Sequence, residues 1–167
     1  MRLTRYTDYA LRTLIYLGVH EPRQSSIAEI ARAYGISENH LTKVVHQLGR
    51  LGLIRTIRGR GGGLRLARPP AEIVVGAVVR QTEEDLALVE CFGGGACAIT
   101  PSCRLKRALG EALAAFLEVL DGVTLADLVE GPVRTDLARL LDIPGPSPSP
   151  APSPAPGLPP GAAPAVP

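Results

Sequence analysis

Three helical stretches that end at Gly52, two β-prone stretches around a glycine-rich loop, and one long amphipathic helix after residue 103 predict a mainly α fold. The expected architecture is a winged helix-turn-helix with a two-stranded wing, followed by a long C-terminal helix. From Thr4 to about Val19, the residues Leu11, Leu14, Ile15 and Leu17 recur at helical spacing between polar positions. Ser26-Ile-Ala-Glu29 fits a capping box that opens a short second helix striped by Ile27, Ile30 and Ala31, and Gly35 suits the left-handed position beyond its end. Ser37 can cap a third helix through Leu41, Val44, Val45 and Leu48 to Leu51, with Gly52 as its stop.

Beyond Gly52, Leu53–Arg58 and Leu64–Leu66 are β-prone, and Gly59-Arg60-Gly61-Gly62-Gly63 between them can supply the positive φ angles of a hairpin loop. Pro69-Pro70 breaks the chain. The apolar run from Ile73 to Arg80 is expected to pack beneath the wing, as a strand or a short helix; periodicity does not separate the two. A glycine-rich loop spans residues 91–103, and a helix then runs to about Asp121. Leu105, Leu109, Ala112, Phe116 and Leu120 line that helix, and Ala108, Leu113 and Leu117 widen the stripe. Such a stripe on a helix set apart from the winged unit suits a dimer interface, with packing inside the monomer as the alternative. Thr124-Leu-Ala-Asp127 is a further cap. From Ile143 onward the chain holds 11 of its 16 prolines and is expected to be disordered.

Charge is divided along the chain. Residues 1–70 carry 12 Lys and Arg against 4 Asp and Glu, whereas residues 71–167 carry 6 against 12. A basic front half suits a polyanion, since phosphate binding draws on clustered cations. In a helix-turn-helix the start of the second helix reads base edges, which assigns Asn39, His40 and Lys43 to that role, with the cap residue Ser37 as a further DNA contact. His46 and Arg50, further along, are expected to meet phosphate or solvent. Arg58 and Arg60 flank the wing glycines and suit phosphate or the minor groove. The glycine loop is no phosphate cradle of a nucleotide-binding enzyme, because no Walker Lys-Ser/Thr follows it. No catalytic acid-base pair or nucleophile arrangement is present, so the chain is expected not to be an enzyme. The N-terminus lacks an apolar core of signal-peptide length and no stretch is long enough to span a membrane, which predicts a cytoplasmic protein.

In a reducing compartment, Cys91, Cys97 and Cys103 are better suited to a metal or to redox sensing than to a structural disulfide. Their C-x5-C-x5-C spacing differs from the tight pairs of structural zinc sites, and thiolates are the soft ligands that iron-sulfur clusters take. Spacing alone leaves a cluster, a zinc ion and a thiol switch open.

The opening Leu3-Thr-Arg-Tyr-Thr-Asp8-Tyr-Ala-Leu-Arg12, the wing Arg58-Gly-Arg-Gly-Gly-Gly-Leu-Arg-Leu66 and the run Cys97-Ala-Ile-Thr-Pro-Ser-Cys103-Arg-Leu-Lys occur in order along the chain. Over residues 1–130 the sequence resembles the nitric-oxide-sensing repressors of the Rrf2 family of winged-helix regulators. The resemblance implies a homodimer on palindromic operator DNA, with a cluster, 4Fe-4S or else 2Fe-2S, on Cys91, Cys97 and Cys103 of one subunit and Asp8 of the other. Nitric oxide would be the signal, and Asp8 and Arg12 would couple it to the DNA-binding unit. Taken without the family, Asp8 is a helix N-terminal carboxylate that can pair with Arg12 at i,i+4. Iron-sulfur-assembly regulators of the same family carry a histidine where Lys106 stands here, which makes them the poorer match. The alternative is a winged-helix regulator that senses iron, cluster status or redox, or that uses a structural zinc or a thiol switch. The expected division is a DNA-binding domain over 1–82, a cluster-binding loop over 83–104, a dimerisation helix and turn over 105–130, a C-terminal extension over 131–142 and a Pro-rich tail over 143–167.

Overall fold

The computed structural model describes residues 2–95 and 97–141; the Pro-rich tail lies outside the described residues. The order is α1 (Arg5–His20), α2 (Ile27–Tyr34), α3 (Glu38–Arg50), β1 (Ile54–Ile57), β2 (Gly63–Leu66), α4 (Val75–Thr82), α5 (Arg104–Asp121), α6 (Leu125–Val129) and α7 (Pro132–Leu140). Single turns of 3-10 helix interrupt the connections at Pro70–Glu72, Glu90–Phe92 and Thr100–Ser102. The fold is the predicted winged helix-turn-helix with a long helix behind it.

Local chemistry sets the first three helices. Thr4 caps α1 by accepting from the Thr7 N–H, and Ser26 and Glu29 close both halves of the capping box on α2. Gly35 ends α2 in the left-handed region. Ser37 holds the N-cap position of α3, but its side chain makes no capping hydrogen bond. Leu14 and Leu17 of α1, Ile30 of α2, and Leu41, Val44 and Leu48 of α3 are essentially inaccessible and form the centre of the core.

The wing pairs β1 with β2 antiparallel, in the register Ile54↔Leu66, Arg55↔Arg65, Thr56↔Leu64 and Ile57↔Gly63. Ser25 bridges the other side of Leu64 through two backbone hydrogen bonds of 2.8 and 3.0 Å, tying the segment before α2 to the wing. Gly62 is required at the hairpin, since a Cβ there would collide with the Ile57 carbonyl.

The apolar run after Pro70 is helical. α4 buries Val75, Val78 and Val79 against α1 and α5, which corrects the expectation that it packs beneath the wing. Gly76 permits this, because a Cβ there would meet Asp121 at the end of α5, and Arg80 clamps the same carboxylate with bonds of 2.5 and 2.6 Å. After α5 the predicted cap forms at Thr124 and Asp127, and Leu125 and Val129 of α6 enter the core beside α1. α7 was not predicted. It packs on α1 and α6, and Arg134 donates to the carbonyls of Val19 and Glu21 at 3.0 and 2.6 Å, capping the C-terminus of α1.

Candidate nucleic-acid interface and cysteine site

α3 buries its apolar stripe and leaves Ser37, Asn39, His40, Lys43, His46 and Arg50 exposed. The open hydroxyl of Ser37 stands at the N-terminus of this helix, where unpaired backbone N–H groups and the helix dipole favour an anion. α1 braces the reading edge: the Tyr9 ring lies 6.4 Å from that of His40, and the Tyr6 hydroxyl approaches the Lys43 carbonyl at 3.5 Å. Arg68 fixes the corner between α3 and the wing by donating to the carbonyls of Gly52 and Leu51. Arg58 and Arg60 are exposed on the hairpin loop.

Two further wing cations escaped the sequence reading. Arg55 and Arg65 stand directly opposite each other across the strands, and the Arg65 Nε is buried without a hydrogen-bond partner among the described residues. Like charges in that register repel, and an anion between them would relieve the repulsion. The alternation Leu64-Arg65-Leu66 in β2 was the available signal.

The cysteines sit on the connection between α4 and α5. Cys91 lies in the turn Glu90–Phe92, Cys97 is exposed, and Cys103 is the N-cap of α5. All three are free thiols. The Cys103 Sγ accepts the Lys106 N–H at 3.3 Å. After Cys91 the chain turns back on Glu90, and Gly95 is needed because a Cβ there would come within 2.8 Å of the Glu90 carbonyl. Three accessible thiols, one of them at a helix N-terminus, form the soft donor set that an iron-sulfur cluster takes. One chain does not gather that set: among the described residues no group of three or more His, Cys, Asp or Glu side chains stands in metal-holding geometry.

Asp8 lies in the first turn of α1, where its Oδ1 accepts from the Arg12 Nε at 2.9 Å, the i,i+4 pair read from the sequence. The Arg12 guanidinium lies 5.7 Å from the centre of the Tyr34 ring. Burial of that ring pushes the Tyr34 hydroxyl up to about 12, with the Arg12 charge working in the opposite direction. α5 leads away from the cysteines with no buried residue, and Leu105 and Val119 are 64% and 68% exposed. No helix among the described residues is long and apolar enough to cross a membrane.

Comparison with known proteins agrees with this arrangement. The family model "Rrf2: Iron-dependent Transcriptional regulator" matches residues 3–131. The HTH-type transcriptional regulator NsrR of Geobacillus kaustophilus is 60% identical over 144 residues, covering 84% of this chain and 97% of that protein. The NsrR of Bacillus subtilis is 52% identical over the same length and coverage. Among solved structures, CymR, the global cysteine regulator of B. subtilis, is 30% identical with a TM-score of 0.64, covering 77% of this chain and 95% of its own. IscR of T. potens is 29% identical with a TM-score of 0.62, covering 77% and 85%. The basic winged helix-turn-helix is thus a regulator's DNA-binding unit and not part of an enzyme, and the chain belongs to the Rrf2 family of iron-dependent transcriptional regulators.

Proposed function

We propose that the chain is a nitric-oxide-sensing repressor that binds a near-palindromic operator as a homodimer, and that its cofactor is a 4Fe-4S cluster. The observation that carries this reading is the donor set: three free thiols directly ahead of a helix whose apolar face is left open. Cys91, Cys97 and Cys103 would hold the cluster, and Asp8 of the second subunit would supply the fourth ligand. Bound there, the cluster supplies iron that nitric oxide can ligate. A hard carboxylate oxygen is the weakest partner in an otherwise thiolate site, so Asp8 is the ligand most easily exchanged.

The chain's own residues then carry the response. An Asp8 carboxylate without a ligand role pairs with Arg12, the contact present in this structure. Asp8 and Arg12 share α1 with Tyr6 and Tyr9, which touch α3 at Lys43 and His40. A change at the start of α1 therefore reaches the reading edge of α3 directly, and half-site matching depends on how the two recognition helices are held. Asn39, His40 and Lys43 would read bases, with Ser37, Arg50, Arg58 and Arg60 on phosphate or in the minor groove. Arg55 and Arg65 add to the phosphate surface. Such a regulator works in the cytoplasm, beside the DNA.

Anaerobic purification tests the cofactor. The expected protein is coloured and contains iron and labile sulfide, which are lost when the three cysteines are replaced by Ala. A colourless wild-type protein without either element would overturn the cluster. Replacing Asp8 by Ala is expected to leave a cluster that forms on three cysteines and loses iron faster; an unchanged cluster lifetime would remove Asp8 from the ligand set.

A further inference from the structure

Two contacts tie the start of α1 to the segment that leads into the cysteine loop of the same chain. The Glu83 Oε1 accepts from both the N–H and the hydroxyl of Thr4, at 2.9 and 3.0 Å. Thr4 is the N-cap of α1, so the bond falls on an otherwise unsatisfied helix N-terminus, where a carboxylate is also favoured by the dipole. One turn further along, the Thr7 hydroxyl donates to that of Thr82 at 2.9 Å, and Thr82 donates in turn to the Val78 carbonyl at 2.9 Å. Thr7 is fully buried and Thr82 nearly so. That pair resists separation, since parting it would take from the buried Thr7 hydroxyl the acceptor it donates to, while Thr82 would keep its bond to the Val78 carbonyl.

Thr82 is the last residue of α4, and Glu83 begins the irregular segment that ends at Cys91. Residues Glu83 to Val89 line a cavity of ≈ 490 Å³ together with Thr4 and with Leu109 and Leu113 of α5. Thr82 is packed into the winged core, and from Glu83 onward the connection borders open space. A displacement at the start of the cysteine loop therefore bears on the core through residues 82 and 83, beside the contact of α5 with α4 at its far end.

We propose that Glu83 and Thr82 are positioning residues that couple the state of the cysteine loop to α1 within one chain. This latch rests on the cluster reading above. It is a second route beside Asp8, which would act between subunits, and it bears on the same first turn of α1. Loosening the loop would pull Glu83 from Thr4, free the first turn of α1 and relax its hold on His40 and Lys43.

The test compares operator affinity in cluster-loaded and iron-stripped full-length protein, on a duplex selected from random sequence by the loaded wild type. Its readout is the ratio of the two affinities, which a merely structural residue would not move because both states would weaken together. Glu83→Ala and Thr82→Val are expected to lower the ratio by about fivefold or more, the lower range of measured couplings. Glu83→Gln keeps an oxygen that can accept both Thr4 bonds, so it is expected to retain the wild-type ratio. A wild-type ratio in both Glu83→Ala and Thr82→Val, at equal iron content, would overturn the latch and leave the cluster reading standing. A ratio of one in the wild type would overturn the cluster reading and the latch together.

Discussion

The two long helices, α1 and α5, are similar in length and pattern but differ in what the single chain does with them. α1 spans 16 residues, nine of them buried, and is tied at both ends, by Glu83 at its start and Arg134 at its close. α5 spans 18 residues and buries none. Its stripe is half covered at Leu109, Leu113, Phe116, Leu117 and Leu120 and open at Leu105 and Val119. Apolar area left in water forgoes about 25 cal/mol per Å² that burial would contribute. One chain thus completes the winged core around α1, whereas the arm of α5 and the cysteine loop needs a second copy. On the function proposed above, sensing would belong to the unfinished part and DNA reading to the finished one.

The largest effect is expected in the core. Leu14→Ala empties a site that is only 1% exposed, and urea unfolding should show a loss of about 2–5 kcal/mol. A loss below 1 kcal/mol would mean that α1 is not the centre of the fold. On the open arm, replacing Leu105 and Val119 together by Glu should leave the fold intact and shift dimer to monomer in sedimentation. Unchanged association would remove these outer positions of α5 from the interface.

A smaller effect should follow pH. His20, near the C-terminal end of α1, is buried and is depressed to about 4 by burial first and by the Arg23 charge next, with Glu29 opposing and Arg134 adding. The unfolded chain takes up this proton near 6.5 while the folded one remains neutral, so stability is lost as pH falls from 6.5 toward 4. His20→Asn should flatten that part of the profile, and an unaltered slope would assign the loss to other groups. The smallest change concerns the DNA-facing surface. Arg58→Ala should weaken binding to all sequences and reduce the salt dependence by about one unit of slope, whereas Asn39→Ala should mainly relax sequence preference. Equal loss on specific and random DNA for Asn39→Ala would make it a phosphate contact.

What was legible in the sequence was local. The capping boxes at Ser26 and Thr124, the stops at Gly35 and Gly52 and the wing glycines each act within a few residues, and each stands where it was read. The run Ile73–Arg80 was ambiguous because four valines suit a strand as well as a buried helix. Its place against α5 depends on Gly76 meeting Asp121, a contact 45 residues away in sequence. α7 was overlooked for the same reason: Gly131-Pro132 reads as a break, and the purpose of Arg134 appears only when Val19 and Glu21 are beside it. The cysteines were legible as chemistry and not as geometry: their type and spacing suit a soft metal, but the described residues of one chain show no gathered donor set.

Operator affinity followed while nitric oxide is added to the anaerobic, cluster-loaded dimer tests the central claim most directly. Affinity is expected to fall in step with the bleaching of cluster absorption, and Asp8→Ala to begin with weaker binding and respond less. Full operator affinity retained after the absorption has bleached would contradict it.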